Sequence, residues 1–340
     1  MHVPLRIAII GASGYSGGEL MRLLASDPSV RIEVATAHAQ AGKAVEEVHP
    51  FLAGRVPLTF APFDPAVVTG MDCVFIALPS GEAMQIVPAL QGKVGCIIDL
   101  GGDLRLPTAA MYEKYYKKPH TTPQLLGAAV YGLPELNREK IRTAKLIANP
   151  GCYPTSAILA LLPALEAGLI KPEGIVINAL SGVSGAGRSS SVELSFSEVN
   201  ESVRAYKIGT HQHQPEIRTV LEGVAGGPVT LSFIPHLIPI TRGIYTTVHA
   251  DLRAQVSIAD IQKVYADRYT NEPFVRFGTR IPEIRAVNYT NFCDVAVFHE
   301  PHTGKLVIIS VIDNLIKGAA GQAIQNMNLV FGRPEHALLK

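Results

Sequence analysis

The chain has 340 residues, which at about 150 residues per domain suggests two domains. Its 30 Lys and Arg residues nearly balance 29 Asp and Glu residues, so the formal net charge is +1. That balance argues against non-specific nucleic-acid binding, which usually needs a strong basic excess. Hydrophobic residues make up 47 % and charged residues only 17 %, below the roughly 25 % of an average soluble protein. The composition excludes a disordered chain and suggests that another subunit covers part of the surface.

The first half alternates predicted strands with predicted helices, which is typical of an α/β domain with a parallel sheet. Residues 103–125 differ, because they are rich in Tyr, Lys and Pro and indicate loops with one short helix. Strands are predicted at 5–10, 30–35, 73–78, 96–100 and 145–148, and helices at 18–25 and 81–90.

The second half changes character, and its strands are separated mainly by loops, which predicts an α+β domain with a mixed, largely antiparallel sheet. A helix follows the N-P-G-C-Y-P-T motif and stops at Gly168. Strands are predicted at 175–180, 229–234, 244–252 and 305–312, and further helices at 258–269 and 317–331.

A glycine-rich motif, G-A-S-G-Y-S-G, lies between the first predicted strand and the first predicted helix. In that setting glycines allow a tight turn, close approach of the backbone to a pyrophosphate, and tight helix–strand packing. The helix N-terminus adds free N–H groups and a positive dipole. The motif predicts a dinucleotide site, with a purely structural turn as the alternative. Its expected contacts are Gly11, Ser13, Gly14, Tyr15, Ser16 and Gly17.

The end of the second strand bears on the choice between NAD and NADP. NAD enzymes usually place an acidic residue there to hold the ribose 2′-OH. Here Glu33 comes too early, inside the strand, and Thr36, His38 and Lys43 follow instead. No acid is placed to repel a 2′-phosphate, so we predict NADP, with Thr36 among its contacts.

Of the four cysteines, Cys152 has the setting of a nucleophile, because it follows Pro-Gly and opens a predicted helix. A helix N-terminus favours the thiolate, which is the reactive form. Cys73 and Cys96 lie in predicted buried strands, and Cys293 has no comparable setting. A small buried residue at a strand–helix turn is the alternative for Cys152. Without a Cys-x-x-Cys pair, we expect four reduced thiols in a cytoplasmic protein.

A proton shuttle for this cysteine is predicted in G-T-H-Q-H-Q-P-E, which contains His211, His213 and Glu216. One histidine would act as acid and base, oriented by Glu216 or by the other histidine. The sequence does not decide between them, although we favour His211. A surface loop and a metal half-site are the alternatives, and no metal is expected because no further cluster has ligand spacing.

Two further motifs indicate anion binding. S-G-V-S-G-A-G-R offers backbone N–H groups, hydroxyls and a guanidinium; Ser181 and Arg188 are expected to contact substrate and Gly182 the cofactor. Arg105 follows a strand at its carboxyl end, where open α/β sheets bind ligands. A flexible turn and a solvated arginine are the alternatives. The N-terminus has too short an apolar run for a signal peptide, and no stretch of about 20 apolar residues predicts a membrane span.

Eight motifs in order across the chain resemble the N-acetyl-γ-glutamyl-phosphate reductase family, relatives of aspartate-semialdehyde dehydrogenase. They are G-A-S-G-Y-S-G-G-E-L, A-L-P-S-G, D-L-G-G-D-L-R, N-P-G-C-Y-P-T, S-G-V-S-G-A-G-R, G-T-H-Q-H-x-P-E, P-I-x-R-G-I and D-N-L-x-K-G-A-A-G-Q-A-x-Q-N.

The resemblance implies NADPH-dependent reduction of an acyl phosphate by a homodimer or homotetramer, with Cys152 as nucleophile. It places Ser80 and Gly81 on the cofactor side and Asn314 on the nicotinamide side. It also implies a Rossmann domain at 1–150 plus 313–340 and a catalytic and oligomerisation domain at 151–312. A reductase of the homologous aminoadipyl phosphate, aspartate-semialdehyde dehydrogenase itself and a non-catalytic NADP-binding regulator are the alternatives.

Overall fold

The computed structural model describes residues 3–339; Met1 and His2, the first residues of the segment considered above for a signal peptide, and Lys340 lie outside it. The chain divides into two compact units. The first comprises residues 1–151 and 319–340, and the second comprises residues 152–318. The sequence placed the later boundary near residue 313. No helix among residues 3–339 is long and apolar enough to cross a membrane.

The first unit is built on a parallel sheet of six strands in the order β2-β1-β3-β4-β6-β5. The strands are β1 Leu5–Ile10, β2 Val30–Thr36, β3 Cys73–Ile76, β4 Cys96–Asp99, β5 Val130–Tyr131 and β6 Leu146–Ala148. The helices are α1 Tyr15–Leu24, α2 Val45–Val48, α3 Pro65–Val68, α4 Ala83–Leu90, α5 Ala109–Tyr116, α6 Pro134–Arg142 and, from the C-terminus, α12 Gly321–Val330.

The predicted α/β organisation of this unit is confirmed. Each predicted strand is present within a residue or two of its predicted bounds, because buried parallel strands form continuous apolar runs. Helix α1 begins at Tyr15 rather than at residue 18, immediately after the glycine motif. The short elements α2, α3 and β5 were not predicted, since two to four residues carry too little periodicity to be recognised.

The second unit contains a mixed sheet of seven strands in the order β11-β12-β13-β10-β7-β9-β8. Only β11–β12 and β7–β9 are parallel pairs, so the predicted largely antiparallel sheet is confirmed. The strands are β7 Ile175–Ser181, β8 Arg204–Ala205, β9 Leu231–Leu237, β10 Ile244–Asp251, β11 Val275–Phe277, β12 Cys293–Glu300 and β13 Lys305–Ile312. The helices are α7 Cys152–Glu166, α8 Phe196–Val199, α9 His213–Ala225, α10 Ile258–Tyr269 and α11 Ile284–Val287.

The C-terminal segment is not one helix over 317–331, as the sequence indicated. A π-helical turn at Ile316–Ala320 precedes α12. Helix α12 is buried in the first unit although it carries amide side chains, and the NH2 groups of these side chains are paired. Gln322 and Asn326 each donate to the carbonyl of Gly132 at 2.8 Å. Burial of polar groups is tolerated when such partners are supplied.

Candidate active site

The glycine motif forms a tight turn at the carboxyl end of β1. Gly11 has φ +83°, and a β-carbon there would lie 2.5 Å from the carbonyl oxygen of Ala77. A β-carbon on Gly17 would lie 2.6 Å from the α-carbon of Ala12. Gly14 caps α1 without a side-chain hydrogen bond. The glycines therefore allow a tight turn and close packing at a helix N-terminus, which fits a dinucleotide pyrophosphate.

The end of β2 presents no acidic side chain to a ribose. Glu33 is inside the strand and is paired with Arg6 and Arg31, with 3.0 Å between its Oε2 and the Nη2 of Arg6. These arginines hold the pKa of Glu33 below its usual value. His38 and Lys43 are exposed beyond the strand, whereas Thr36 is buried, with 1 % exposed. This arrangement suits a phosphorylated ribose better than a free 2′-OH, although Thr36 itself is largely covered.

The loop Ser80–Gly81 follows β3, the strand paired with β1, so both loops lie at the carboxyl edge of the same sheet. Nearby, Arg105 is oriented by two carbonyls. Its Nε donates to Asn149 at 2.8 Å and its Nη2 to Leu100 at 2.7 Å. The first unit thus collects at one edge the glycine motif, the Ser80–Gly81 loop and Arg105, as open α/β sheets do at ligand sites.

Two buried carboxyl groups underlie this edge, and no pattern in the sequence indicated their burial. Asp99 and Asp103 are both 0 % exposed. Burial, together with the neighbouring Asp103, raises the pKa of Asp99 to about 7. The Gly101 N–H donates to Oδ1 of Asp99 at 2.8 Å, but Oδ2 has no hydrogen-bond partner among the described residues. Asp99 is therefore a group that favours its neutral form near pH 7.

Cys152 is the first residue of α7 and is half-buried, in contrast to the fully buried Cys73, Cys96 and Cys293. Burial raises the pKa of Cys96 to about 12 and that of Cys73 further above its ordinary value. A β-carbon on Gly318 would lie 2.8 Å from the β-carbon of Cys152, so only glycine leaves this thiol its space. Of the four thiols, Cys152 alone combines exposure with a helix N-terminus.

His211 and His213 occupy different environments. His211 is 4 % exposed, and its Nδ1 accepts the backbone N–H of His213 at 3.1 Å. Burial, with a smaller effect of Lys207, lowers the pKa of His211 to about 3. Its neutral form therefore carries the proton on Nε2. His213 is half-buried at the start of α9, and Glu216 is buried in the first turn of the same helix.

Aromatic side chains enclose this histidine pair. The rings of Tyr153, Tyr206 and Phe233 pack against His211, with their centroids 5.5–5.7 Å from that of the imidazole. The phenol oxygens of Tyr153 and Tyr206 are 3.1 Å apart. Burial raises the pKa of Tyr206 to about 12, and the charge of Cys152 adds to that rise. Tyr206 thus belongs to the neighbourhood of Cys152, and nothing in the sequence around the two-residue strand β8 indicated it.

The predicted anion motif differs from the expectation in one respect. Its N–H groups at Gly182, Val183 and Ser184 are not available, because they donate to carbonyls of the loop 240–243 at 2.9–3.1 Å. The side chain of Asn314 joins the same loops, accepting from Gly243 at 2.8 Å and donating to Ser184 at 2.9 Å. These three backbone groups are therefore not free to bind phosphate, and the anion site expected at this motif stays a prediction for its remaining groups.

The side chains of that motif are placed as follows. Ser181 is buried and its hydroxyl donates to the carbonyl of Gly182 at 3.0 Å. Arg188 is exposed. A β-carbon on Gly182 would lie 2.7 Å from the backbone of Thr241, so close loop packing accounts for this glycine.

Two family models together match most of the chain. Residues 6–144 match the semialdehyde dehydrogenase NAD-binding domain, and residues 152–314 match the semialdehyde dehydrogenase dimerisation domain. An N-acetyl-gamma-glutamyl-phosphate reductase of Symbiobacterium thermophilum is 48 % identical over 336 residues, covering 98 % of this chain and 97 % of that one. One of Alkalilimnicola ehrlichii is 48 % identical over 335 residues, with 98 % and 97 % covered. The chain belongs to the N-acetyl-gamma-glutamyl-phosphate reductase family.

Solved structures with much lower sequence identity to this chain share its fold. Aspartate semialdehyde dehydrogenase II of Vibrio cholerae superposes with a TM-score of 0.73 at 18 % identity, covering 97 % of this chain and 98 % of that one. The aspartate semialdehyde dehydrogenase of Candida albicans, solved with NADP, gives 0.68 at 14 % identity, with 96 % and 98 % covered. The predicted pairing of a Rossmann-type domain with an α+β domain is thereby confirmed.

Proposed function

We propose that the chain reduces N-acetyl-L-glutamyl 5-phosphate with NADPH to N-acetyl-L-glutamate 5-semialdehyde and phosphate, the reaction named by its relatives. The observation that carries the proposal is the position of Cys152 at the start of α7, directly before Tyr153, whose ring contacts both His211 and His213. A half-buried thiol at a helix N-terminus, followed by a side chain that contacts two imidazoles, is suited to acyl transfer. No group of three or more metal-ligating side chains is found among residues 3–339, and the mechanism needs none.

The first step is attack of the Cys152 thiolate on the acyl carbon of the substrate. A carbon–sulfur bond forms, the oxygen of the carbonyl gains the electron pair, and collapse expels phosphate to leave a thioester. Backbone N–H groups at the start of α7 are placed to stabilise the oxyanion. A thioester can be reduced to the aldehyde level, whereas a free carboxylate resists this.

The residues suited to the cofactor lie in the first unit. The glycine motif from Gly11 to Gly17 would hold the pyrophosphate, and the Ser80–Gly81 loop would lie beside it. NADPH, when bound, supplies the hydride that reduces the thioester carbon. His38 and Lys43, exposed beyond β2, are the side chains we propose to contact a 2′-phosphate.

The two histidines divide the remaining work. His211 stays neutral, and its Nε2–H can donate a hydrogen bond to the oxygen on the carbon that carries the sulfur, as neutral imidazoles do in other enzymes. His213 carries the proton: it protonates that oxygen after reduction and takes the proton back as the carbon–sulfur bond breaks. This assignment reverses the preference for His211 that the sequence suggested, and it rests on the hydrogen bond at Nδ1 of His211.

Arg105 and Arg188 remain the candidates for the substrate's two anionic ends. A guanidinium matches both carboxylate and phosphate geometry. Because the second unit matches a dimerisation domain, we also propose a homodimer or homotetramer. The reaction would take place in the cytoplasm.

The proposal is tested in the reverse direction, by phosphate-dependent reduction of NADP with N-acetylglutamate semialdehyde. The homologue with one more methylene and aspartate semialdehyde serve as comparison substrates. We expect the N-acetylglutamyl compound to have the highest kcat/KM, by about 10-fold or more, since one methylene in a pocket is worth about 1–3 kcal/mol. A higher kcat/KM with either comparison substrate, or no phosphate dependence, would contradict the assignment.

A further inference from the structure

The Tyr- and Lys-rich segment that follows β4 has a structural task that the proposed reaction does not explain. Its residues surround the Ser80–Gly81 loop within the first unit. Gly81 is buried and has φ +105°, a conformation that other residues rarely adopt. Glycine adopts this conformation without strain but is not confined to it, so neighbouring groups are needed to hold the backbone in this one shape.

Asp103 is the main fixing group. Its Oδ1 accepts the N–H of Gly81 at 2.6 Å and the hydroxyl of Tyr112 at 2.7 Å. Its Oδ2 accepts the N–H of Met84, in the first turn of α4, at 3.2 Å. Helix α4 has no side-chain hydrogen bond from its own N-cap, so Asp103 supplies that role from outside the helix. A fully buried carboxyl group is costly unless such donors surround it, and here the donors come from the loop and its borders.

Other residues of the segment contact Asp103 or the Ser80–Gly81 loop. His120 donates through Nε2 to the carbonyl of Asp103 at 2.8 Å. The rings of Tyr112 and Tyr116 stack at 4.4 Å. Lys118 is exposed, yet its ammonium donates to the carbonyl of Ser80 at 3.0 Å and occupies the space beside Gly81. We call Asp103, Tyr112, Lys118 and His120 the loop clasp.

The loop held in this way is adjacent to the glycine motif. Gly11 packs on Ala77, the residue that follows β3 and leads into the loop through Leu78 and Pro79. Two backbone turns at neighbouring strand ends therefore share one edge of the sheet. A dinucleotide on the glycine motif would meet the Ser80–Gly81 backbone, whose orientation the clasp determines.

We propose that the loop clasp is a positioning device for the nicotinamide cofactor, with Asp103 as its central residue. The inference rests on the proposed use of NADPH. Asp103 acts through Gly81 and is a positioning residue. Lys118 donates its hydrogen bond to the loop from an exposed position. Its loss should therefore weaken NADP binding less than loss of the Asp103 carboxyl group does.

The test measures the dissociation constant of NADP for the full chain by titration calorimetry. Steady-state kinetics give the KM for the acyl phosphate. For Asp103→Asn we expect the NADP dissociation constant to rise at least about 10-fold at unchanged stoichiometry. The KM for the acyl phosphate should stay within twofold. Tyr112→Phe and Lys118→Ala should raise the dissociation constant about 3-fold, while Lys114→Ala, which removes the same charge from an exposed site on α5, leaves it unchanged.

The outcomes are distinguishable. A merely structural role for Asp103 would reduce the binding-competent fraction and leave the dissociation constant of the remainder unchanged, which would overturn the inference. If Asp103→Asn does not fold, Tyr112→Phe and Lys118→Ala decide, and wild-type affinity in both overturns it. If the wild-type chain binds no NADP, the proposed function fails as well.

Discussion

The two units build their functional groups from different materials. In the first unit, the groups proposed to bind the cofactor are backbone turns. The ionisable groups beneath them, Asp99 and Asp103, are buried and accept hydrogen bonds from backbone N–H groups. In the second unit, the candidates are side chains, Cys152 with His211 and His213. Binding a flexible dinucleotide in one orientation needs a fixed backbone shape, whereas moving protons and forming bonds needs groups that can change their protonation or bonding. The predictions below separate these two kinds of dependence.

The largest expected effect is loss of the nucleophile. Cys152→Ser should lower kcat at least about 10⁴-fold, because an alcohol is a far weaker nucleophile than a thiolate near pH 7. The affinity for NADP should be unchanged, since the glycine motif is untouched. Steady-state kinetics and calorimetry measure the two quantities.

Cys293→Ser is the matched control for that substitution. Cys293 is buried on β12, and its sulfur already lies 3.3 Å from the hydroxyl of Ser310. A hydroxyl at this position should preserve activity. Substantial turnover by Cys152→Ser, or its loss in Cys293→Ser alone, would remove the basis for the nucleophile assignment.

The histidines should be unequal. His213→Asn should lower kcat about 10²–10⁴-fold, the range for loss of a general acid–base, and should flatten the pH profile. His211→Asn should lower kcat about 10-fold and keep the wild-type pH profile, because the pKa of about 3 for His211 lies outside the working range. Profiles of kcat against pH from 5.5 to 9 check both. A flattened profile in His211→Asn alone would return the shuttle to His211.

The sequence predicted the backbone features of the first unit better than the side-chain environment of the second. Gly11 and Cys152 could be singled out because the features that mark them lie in their immediate neighbours in sequence. Tyr206 was missed, and the protonation of His211 was not predictable, because both depend on burial by residues far away in the chain. The pairing of three N–H groups in the anion motif was not predictable for the same reason, since the loop 240–243 that accepts them comes much later.

A substitution that crowds the Cys152 thiol should lower kcat by a smaller factor. Gly318→Ala should reduce kcat about 10²-fold, because the added methyl group would lie 2.8 Å from the β-carbon of Cys152 and displace it. NADP affinity should remain within twofold. Gly223→Ala, on α9 with open space around the glycine, is the control. Equal activity of the two variants would show that Cys152 tolerates displacement.

The smallest expected effect is on stability, and it comes from Asp99. Its pKa is near 3.8 in the unfolded chain and about 7 in the fold, so between these values the folded state binds more protons. The free energy of unfolding therefore falls as pH rises through this window and then levels off. Asp99→Asn removes this dependence and keeps an acceptor for the Gly101 N–H. Relative to wild type, the variant should gain about 1–2.5 kcal/mol between pH 5 and pH 8.

His211 gives the opposite sign, which makes the comparison between the units sharper. Its pKa is lowered from 6.5 to about 3, so the unfolded chain binds more protons and stability is lost as pH falls through this range. Urea unfolding at pH 5 and pH 8 should therefore show Asp99→Asn steepening the rise of stability with pH and His211→Asn reducing it. Parallel shifts in both variants would mean that burial does not hold these two groups neutral. Opposite shifts would show that burial of Asp99 lowers the free energy of unfolding at higher pH, whereas burial of His211 lowers it at lower pH.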